Sequence, residues 1–584
     1  MMHSPSLGQA IARTFPHRRR IVAMCVVALA AGLIWRVVDL QLNHNAFLTE
    51  EGDARHLRIE KIPAHRGMLL DRNGEPLAVS TPLASVWVNP RKLEASRPKW
   101  PELEAALTLE PGLLEQMTEA RGEREFVYLR RHVEPSVAEA VDALEMQGVH
   151  LKPEYRRYYP MGAAASHVLG FTGIDDTGQE GLELAFEETL SGEGGARRVV
   201  KDRLGRIVEN LERLRPARPG SDIVLSIDRR IQSLTWRALR QGVRLHRARA
   251  GSAVVMDVRT GEVLAIANLP SFNPNDRGDR SSGRFRNRAL TDLLEPGSTI
   301  KPFTVAAALQ AGIVRPDTIL DTRPGFLKVG RHTVWDIRNY GVIDVRKVIK
   351  KSSNVGAGKL ALELDPARLW EMFHRVGFGS LTGSGFPGER EGTLTDSIDW
   401  GEIHRVTLSY GYGLAATPLQ IARAYAAFGN GGALPDVSFV RADGAPVTSQ
   451  AMPAPVAAEL LEMLELVIEP GGTGSRAQVA GYRVGGKTGT TKKSEAGGYS
   501  ENRYHSAFAG LAPMSDPRLS VVVVIDEPGG DAYYGGAVAA PVFSEIVDGA
   551  LRILGIAPDD PETIRSPAIS IAAAASQPAV ERTP

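Results

Sequence analysis

Ser298 and Lys301 stand three residues apart in Glu295-Pro296-Gly297-Ser298-Thr299-Ile300-Lys301-Pro302-Phe303. Pro296-Gly297 reads as a turn. The alanine-rich run at 303–309 is strongly helical, and Pro302 fits only the first turn of that helix, where its missing N–H has no partner to lose. The helix therefore begins near Ser298. Residues three apart share a helix face, and the serine lies at the positive end of the helix dipole beside free backbone N–H groups. An alkoxide can form there and an oxyanion can be held.

Taken alone the pair says little. A chain of 584 residues contains about one or two Ser-x-x-Lys matches by chance, and this one has a second at Ser96-Arg97-Pro98-Lys99. The plain reading of a single match is a surface serine near a solvated lysine. Two later motifs lift Ser298 above that reading. Ser352-Ser353-Asn354 lies on a helical stretch, and Lys487-Thr488-Gly489-Thr490 lies in a strand near a sheet edge, where Gly485, Gly486 and Gly489 let another backbone or a ligand come close. Ser-x-Asn also occurs at 271–273 and 500–502, but only the copy at 352 falls between the other motifs on a helix. Lys-Thr-Gly occurs once, against about a tenth of an occurrence by chance.

The elements that must position these residues follow from periodicity. A helix capped by Ser226 or Asp228 runs to about His246, with Ile227, Ile231, Leu234, Ala238, Gly242 and Leu245 at helical spacing. A hairpin follows at 252–258 and 262–268. Residues 300–470 read as helix and loop. Strands return at 482–491, 505–511 and 519–526, and an amphipathic helix closes the region at 540–556. The order predicts a mixed α+β fold, an antiparallel sheet split by a long helical insertion, with catalytic groups where the insertion meets the sheet.

Four arginines and no acid precede an apolar run at 21–35 that continues past Arg36 and Asp39 to 42. That pattern predicts a membrane anchor, with a basic tail at 1–20 in the cytoplasm and the rest exported. Ala28-Leu29-Ala30 leaves a cleaved signal open as the alternative. Residues 50–215 mix short strands and helices, including helices at 101–109 and 137–146 and a strand–turn–strand at 65–78. They hold no nucleophile–base pair and read as a non-catalytic platform. A proline-rich linker separates them from a catalytic region at 221–556. Residues 557–584, rich in alanine, proline and serine, read as a disordered tail.

A net charge of +1 gives no argument for nucleic acid, and the lone Cys25 excludes an intramolecular disulfide and a cysteine zinc site. His246, His332, His404 and His505 are scattered without ligand spacing, so neither a metal nor another cofactor is expected.

The ordered set Ser-x-x-Lys, Ser-x-Asn, Lys-Thr-Gly resembles that of penicillin-binding proteins and class A β-lactamases. The likeness extends further. Arg66-Gly67 with Asp71-Arg72-Asn73-Gly74, Arg156 with Pro160, residues 178–183, and Asp228 with Gln232 resemble the platform and junction of class B penicillin-binding proteins. Tyr410-Gly411-Tyr412-Gly413 and Thr417-Pro418-Leu419-Gln420 resemble their transpeptidase domain. The resemblance covers about residues 20–556, and its platform wording is closer to the septal, cell-division type than to the elongation type. It implies a five-stranded antiparallel sheet with flanking helices, behind an elongated platform of the dimerisation type and one transmembrane helix. It also implies a D,D-transpeptidase of peptidoglycan stem peptides and nascent lipid-linked glycan. Such an enzyme is a β-lactam target in the bacterial inner membrane, its catalytic domain periplasmic, with a septal polymerase of the SEDS glycosyltransferase family and other division proteins as partners. By the same resemblance Ser298 is the nucleophile, Lys301 the base and Ser352 a proton relay. Asn354 holds the substrate amide, Lys487, Thr488, Gly489 and Thr490 bind the terminal carboxylate, and the backbone N–H groups of Ser298 and Thr490 form the oxyanion hole. Tyr412 and Tyr504 are candidates for the groove wall. Ser353 stands where many β-lactamase relatives have Asp. A β-lactamase or carboxypeptidase and a division scaffold without essential catalysis are the competing classes.

Overall fold

The computed structural model describes residues 16–42, 57–201, 207–276, 278, 282–495 and 498–565. Contacts divide the chain into two compact units. One comprises Met1–Ala64, Ala84–Glu154 and Glu193–Arg218, and the other His65–Leu83, Tyr155–Gly192 and Pro219–Pro584.

The first unit opens with α1 (Pro16–Leu42), 27 residues long. At 1.5 Å per residue it extends about 40 Å, more than the roughly 30 Å of bilayer hydrocarbon. Its apolar side chains, Val27 and Trp35 among them, are exposed. It is the one helix among the described residues long and apolar enough to cross a membrane, the pattern of a single-pass membrane protein. The strands are β1 (Leu57–Ile62), the 84–88 end of β2 (Pro76–Val88), β3 (Val127–Val133), the 149–154 part of β4 (Val149–Tyr158), β5 (Gly195–Lys201) and β6 (Ile207–Arg215). β1, β5 and β6 form an antiparallel sheet in that order. β2 pairs with β3, Trp87 opposite Tyr128. Val86, Val88, Leu103, Val127 and Val141 make the core. The expected helices lie at Trp100–Ala106 and Pro135–Ala143. A third, Leu113–Arg121, has no counterpart in the sequence reading, because only Leu114 of its residues is buried and its apolar periodicity is weak.

The second unit contains α2 (Arg229–Leu245), β7 (Ala250–Asp257), β8 (Val263–Leu269), α3 (Lys301–Gln310), α4 (Val345–Lys351), α5 (Asn354–Glu363), α6 (Pro418–Gly429), α7 (Ala454–Leu466), β9 (Gly485–Glu495), β10 (Gly498–Ala512), β11 (Leu519–Asp526) and α8 (Ala540–Ile553). The sheet is antiparallel, in the order β8-β7-β11-β10-β9. Successive strand residues point to opposite faces, and here both faces are buried. Val254, Met256, Val522 and Val524 pack toward the helical insertion. Ala253, Val255, Val521 and Val523 pack toward α2 and α8 through Ile231, Leu239, Phe543 and Val547. The insertion holds more strand than expected: three two-stranded sheets, Ile319–Asp321 with Val342–Asp344, Phe326–Val329 with His332–Trp335, and Ala433–Pro435 with Thr448–Gln450. These pieces are three or four residues long, too short for an alternating pattern to register.

His65–Leu83 and Tyr155–Gly192, read linearly as platform, belong by their contacts to the second unit. A buried ion network explains it. Glu183 accepts from Arg66 Nε at 2.8 Å and from Arg157 Nε at 2.6 Å, and Arg157 also reaches the Gly67 carbonyl at 2.8 Å. Asp71 holds the Asn73 and Glu75 N–H groups of its own turn, and Asn73 reaches Asp228, the N-cap of α2, at 3.2 Å. The expected tail also starts later than 557. Asp559 accepts from the N–H groups of Arg483 (2.7 Å) and Ser515 (3.2 Å), and Thr563 from that of Gly481 (2.8 Å). Residues 566–584 of the expected tail lie outside the described residues, as do 1–15 of the basic N-terminus.

Candidate active site

Ser298 lies in a 3-10 turn, Gly297–Ile300, that runs directly into α3, and Pro302 occupies the first turn of that helix. Two glycines seat the turn. Gly411 has φ +91°, and a Cβ there would lie 2.1 Å from the Gly297 carbonyl oxygen. A Cβ on Gly489 would lie 3.0 Å from the Pro296 carbonyl. The close approach expected of the β9 glycines is thus made, for Gly489, onto the turn that carries the serine. The Gly297 N–H bonds the Gly411 carbonyl (3.1 Å), and the Tyr425 hydroxyl bonds the Thr299 carbonyl (2.8 Å).

Lys301 is fully buried. Its Nζ is 3.0 Å from Ser298 Oγ, 3.1 Å from Ser352 Oγ, 2.6 Å from the Ser352 carbonyl and 2.7 Å from Asn354 Oδ1. One amine therefore gathers both hydroxyls and the amide oxygen. Burial, and after it the Lys487 charge, push the Lys301 ammonium well below the ordinary lysine range, while Asp336 pulls it back up. Lys487 is equally buried, and burial lowers it to about 7. Burial thus disfavours the charged form of both amines, the one against the serine and the one on β9.

The Ser-x-Asn motif is not on one helix, as its sequence suggested. Ser352 ends α4 with a left-handed backbone, φ +60° and ψ +41°. Ser353 N-caps α5, its Oγ accepting from the Gly356 N–H at 2.9 Å. This break turns the side chains of 352 and 354 together onto Lys301. Asp336, which sequence reading missed, holds it. The Asp336 carboxylate accepts from Ser353 Oγ (2.6 Å) and from the N–H groups of Asn354 (2.5 Å) and Val355 (3.1 Å). The Trp335 carbonyl accepts from Asn354 Nδ2 at 2.9 Å. That leaves the second N–H of the amide for a substrate. No spacing rule marks Asp336, since its role follows from the hairpin that ends in Trp335.

β9 is the edge strand of the sheet. Lys487 pairs with Ala509 in register, and its Nζ donates to the Thr488 carbonyl at 3.3 Å. Thr488 Oγ1 donates to Thr473 Oγ1 (3.0 Å), and Thr490 Oγ1 accepts from the Gly535 N–H (2.9 Å). Thr473 is a second residue the motif search did not select. The tyrosines separate into two clusters. Tyr412 packs on Tyr499 (5.4 Å between centroids), whose hydroxyl donates to Glu295 Oε1 (2.9 Å). Tyr504 stacks on Tyr533 instead (4.4 Å). Ser298, Lys301, Ser352 and Asn354 are in direct contact. Lys487 joins them through its charge, Thr488, Gly489 and Thr490 follow it along β9, and Tyr412 borders the nucleophile turn through Glu295, which also takes the Gly413 N–H at 2.8 Å. Among the described residues no group of three or more His, Cys, Asp or Glu is arranged to hold a metal.

A serine bonded to a desolvated lysine whose ammonium form is disfavoured, at a helix start, with a second hydroxyl on the same amine and a second lysine on a sheet edge, is the constellation of serine acyl-transfer enzymes. The comparisons agree. Residues 251–548 match the penicillin binding protein transpeptidase domain, and residues 61–225 the penicillin-binding protein dimerisation domain. The peptidoglycan D,D-transpeptidase FtsI of Escherichia coli K12 is 40% identical over 547 residues, 93% of this chain and 92% of that protein. The probable peptidoglycan D,D-transpeptidase PenA of Neisseria meningitidis serogroup A is 43% identical over 550 residues, 94% of each. The solved transpeptidase domain of Burkholderia pseudomallei penicillin-binding protein 3 superposes with a TM-score of 0.54 at 41% identity, covering 57% of this chain and 97% of that one. The chain belongs to the penicillin-binding protein family.

Proposed function

We propose that this chain is a class B D,D-transpeptidase that cross-links peptidoglycan stem peptides during septum synthesis. The observation that carries the reading is the buried Lys301 amine in contact with Ser298, Ser352 and Asn354 at once. Ser298 Oγ attacks the carbonyl carbon of the penultimate D-alanine as its proton passes to neutral Lys301. The N–H groups of Ser298 and Thr490 take the oxyanion. The C–N bond to the last D-alanine then breaks, and the leaving nitrogen receives a proton through Ser352. Lys487 with Thr488 and Thr490 holds the terminal carboxylate, whose charge favours the protonated form of Lys487. Asn354 spends one N–H on Trp335 and offers the other to the substrate amide. A neighbouring strand's amine then attacks the ester carbonyl, giving up a proton as Ser298 regains its own.

Relatives named peptidoglycan D,D-transpeptidase over nearly the full length support the activity. The septal role, as against elongation, rests on the platform wording near Arg66 and on the FtsI relatives. The positive flank of α1 supports a topology with the N-terminus in the cytoplasm and the catalytic unit in the periplasm of a bacterial inner membrane. A SEDS-family polymerase and other division proteins are the partners this role implies.

The test is the full chain in detergent incubated with a fluorescent penicillin for hours, with Ser298→Ala as control. An adduct that persists in the wild type and is missing from the variant is expected. Rapid loss of label with hydrolysed drug would make it a β-lactamase, and no label at all would favour a scaffold.

A further inference from the structure

Residues 229–249 contain seven arginines and no acidic residue. Three are paired: Arg229 with Glu75 (2.7 Å), Arg230 with Asp228 (2.7 Å) and Arg249 with Glu527 (2.9 Å). Arg237, Arg240, Arg244 and Arg247 are exposed, and none makes an ion pair among the described residues. The first three recur at intervals of three and four on α2, so they form one ridge about 10 Å long. Beside it runs a trough of about 520 Å³ lined by Arg237, Arg240, Gln241, Arg244 and Leu245. The Arg240 guanidinium lies 4.3 Å over the Trp236 ring, and Leu245 is 73% exposed.

Folding gives no account of this face. The inner face of α2 is committed to the sheet and α8 through Ile231, Ala238 and Leu239. Like charges three and four apart destabilise a helix, and the helix dipole favours a cation only in the last turn, which covers Arg244 alone. Arg247, two residues beyond the end of α2, is exposed as well, so the basic surface continues past the helix end.

We propose that this ridge docks carboxylates of the peptidoglycan wall, on strands other than the one in the cleft; the inference rests on the transpeptidase reading. Arginine forks match carboxylates in a bidentate way that a merely solubilising charge does not require. The Gln241 amide and the exposed Leu245 in the same trough suit a peptide or sugar chain better than a bare anion. The D-alanine terminus recurs along a polymer, so individually weak carboxylate contacts add through avidity. Position also decides: α2 packs on β8, the sheet edge opposite β9. Four strand spacings separate those edges, about 19 Å, beyond the roughly 17 Å reach of a five-residue extended peptide.

The test is co-sedimentation of the full chain, in detergent and with Ser298 already acylated by penicillin, with purified insoluble peptidoglycan. Arg237→Glu/Arg240→Glu/Arg244→Glu should bind at least tenfold more weakly while acylating with penicillin at the wild-type rate, and the triple lysine variant should bind with intermediate strength. If the glutamate variant fails to acylate, the triple glutamine variant takes its place. Peptidoglycan with amidated carboxylates should bind the wild type as weakly as native peptidoglycan binds the glutamate variant. Unchanged sedimentation of the charge variants overturns the proposal. So does full binding to amidated wall, or loss of binding only to anionic lipid vesicles or a polyglutamate peptide. Failure of penicillin labelling in the wild type would instead count against the transpeptidase reading.

Discussion

Replacing Lys487 by methionine should stabilise the protein and slow acylation of Ser298, with a stability gain that depends on pH. Burial lowers this amine from 10.5 to about 7. Between those values the unfolded chain holds a proton that the folded chain does not. Stability from this group is therefore full above 10.5, falls as pH drops, and is lost by about 7. At about 1.4 kcal/mol per unit the penalty is on the order of 4 kcal/mol near pH 7 and about 1 kcal/mol at pH 10. Methionine fills similar space without the charge, so the variant should recover most of that at pH 7 and little at pH 10. Lys301 is depressed in both proteins, so the comparison isolates Lys487 apart from their coupling. The assay is thermal unfolding of the full chain in detergent at both pH values, with and without the substitution. A gain of several degrees at pH 7 that shrinks at pH 10 is expected. Equal gains at both pH values, or a loss at pH 7, would refute the claim that a buried, uncompensated amine is held there at the expense of stability. The same variant removes a cation that helps keep Lys301 neutral. The limb of the penicillin acylation rate that reports Lys301 deprotonation should therefore move to higher pH.

Gly411→Ala puts a methyl 2.1 Å from the Gly297 carbonyl at a φ of +91°. Acylation of Ser298, followed by fluorescent penicillin, should fall at least 100-fold while far-UV circular dichroism is unchanged. Asp336→Asn loses the acceptor for one of the N–H groups at the start of α5 or for Ser353 Oγ. At about 1.5–3 kcal/mol for a hydrogen bond to a charged group, acylation should slow by about 10- to 100-fold. Because Asp336 holds the Lys301 pKa up, the Lys301 limb should move to lower pH, opposite to the Lys487 variant. Glu183→Gln leaves the buried Arg157 without its carboxylate. Breaking a buried pair costs about 3–5 kcal/mol, so the unfolding temperature should drop by several degrees even with the cleft acylated.

The candidate catalytic residues were legible in the sequence because motif order is itself information: three short patterns in one sequence order are far rarer than any one of them. The long elements were legible for a similar reason. β7 and β11 are apolar on both faces, and α2 and α8 carry a clear stripe. Short pieces were not legible, since a strand of three residues has no period to detect. Nor was Asp336, whose partners lie 17 to 19 residues away and depend on a hairpin bringing it back. The division of the exported chain by contacts cuts across the linear reading, because Arg66 and Glu183, 117 residues apart, meet in a buried pair. A linear boundary cannot represent that.

The remaining question is how an interior can keep two lysine amines where water would serve them better. Among the described residues, neither of them is offered a carboxylate at bonding distance. Lys301 has only neutral oxygens as partners, and Lys487 has a backbone carbonyl. A carboxylate against Lys301 would fix it as an ammonium and abolish its use as a base. A carboxylate against Lys487 would occupy the position that a substrate terminus needs. The one acid that influences Lys301, Asp336, has its oxygens turned onto Ser353 and the start of α5, so it positions the loop more than it neutralises the amine. The cost of two uncompensated amines is offset elsewhere, in a sheet buried on both faces. On the proposed reading, a substrate carboxylate at Lys487 would favour the ammonium form of that lysine and would supply the anion that the folded site lacks.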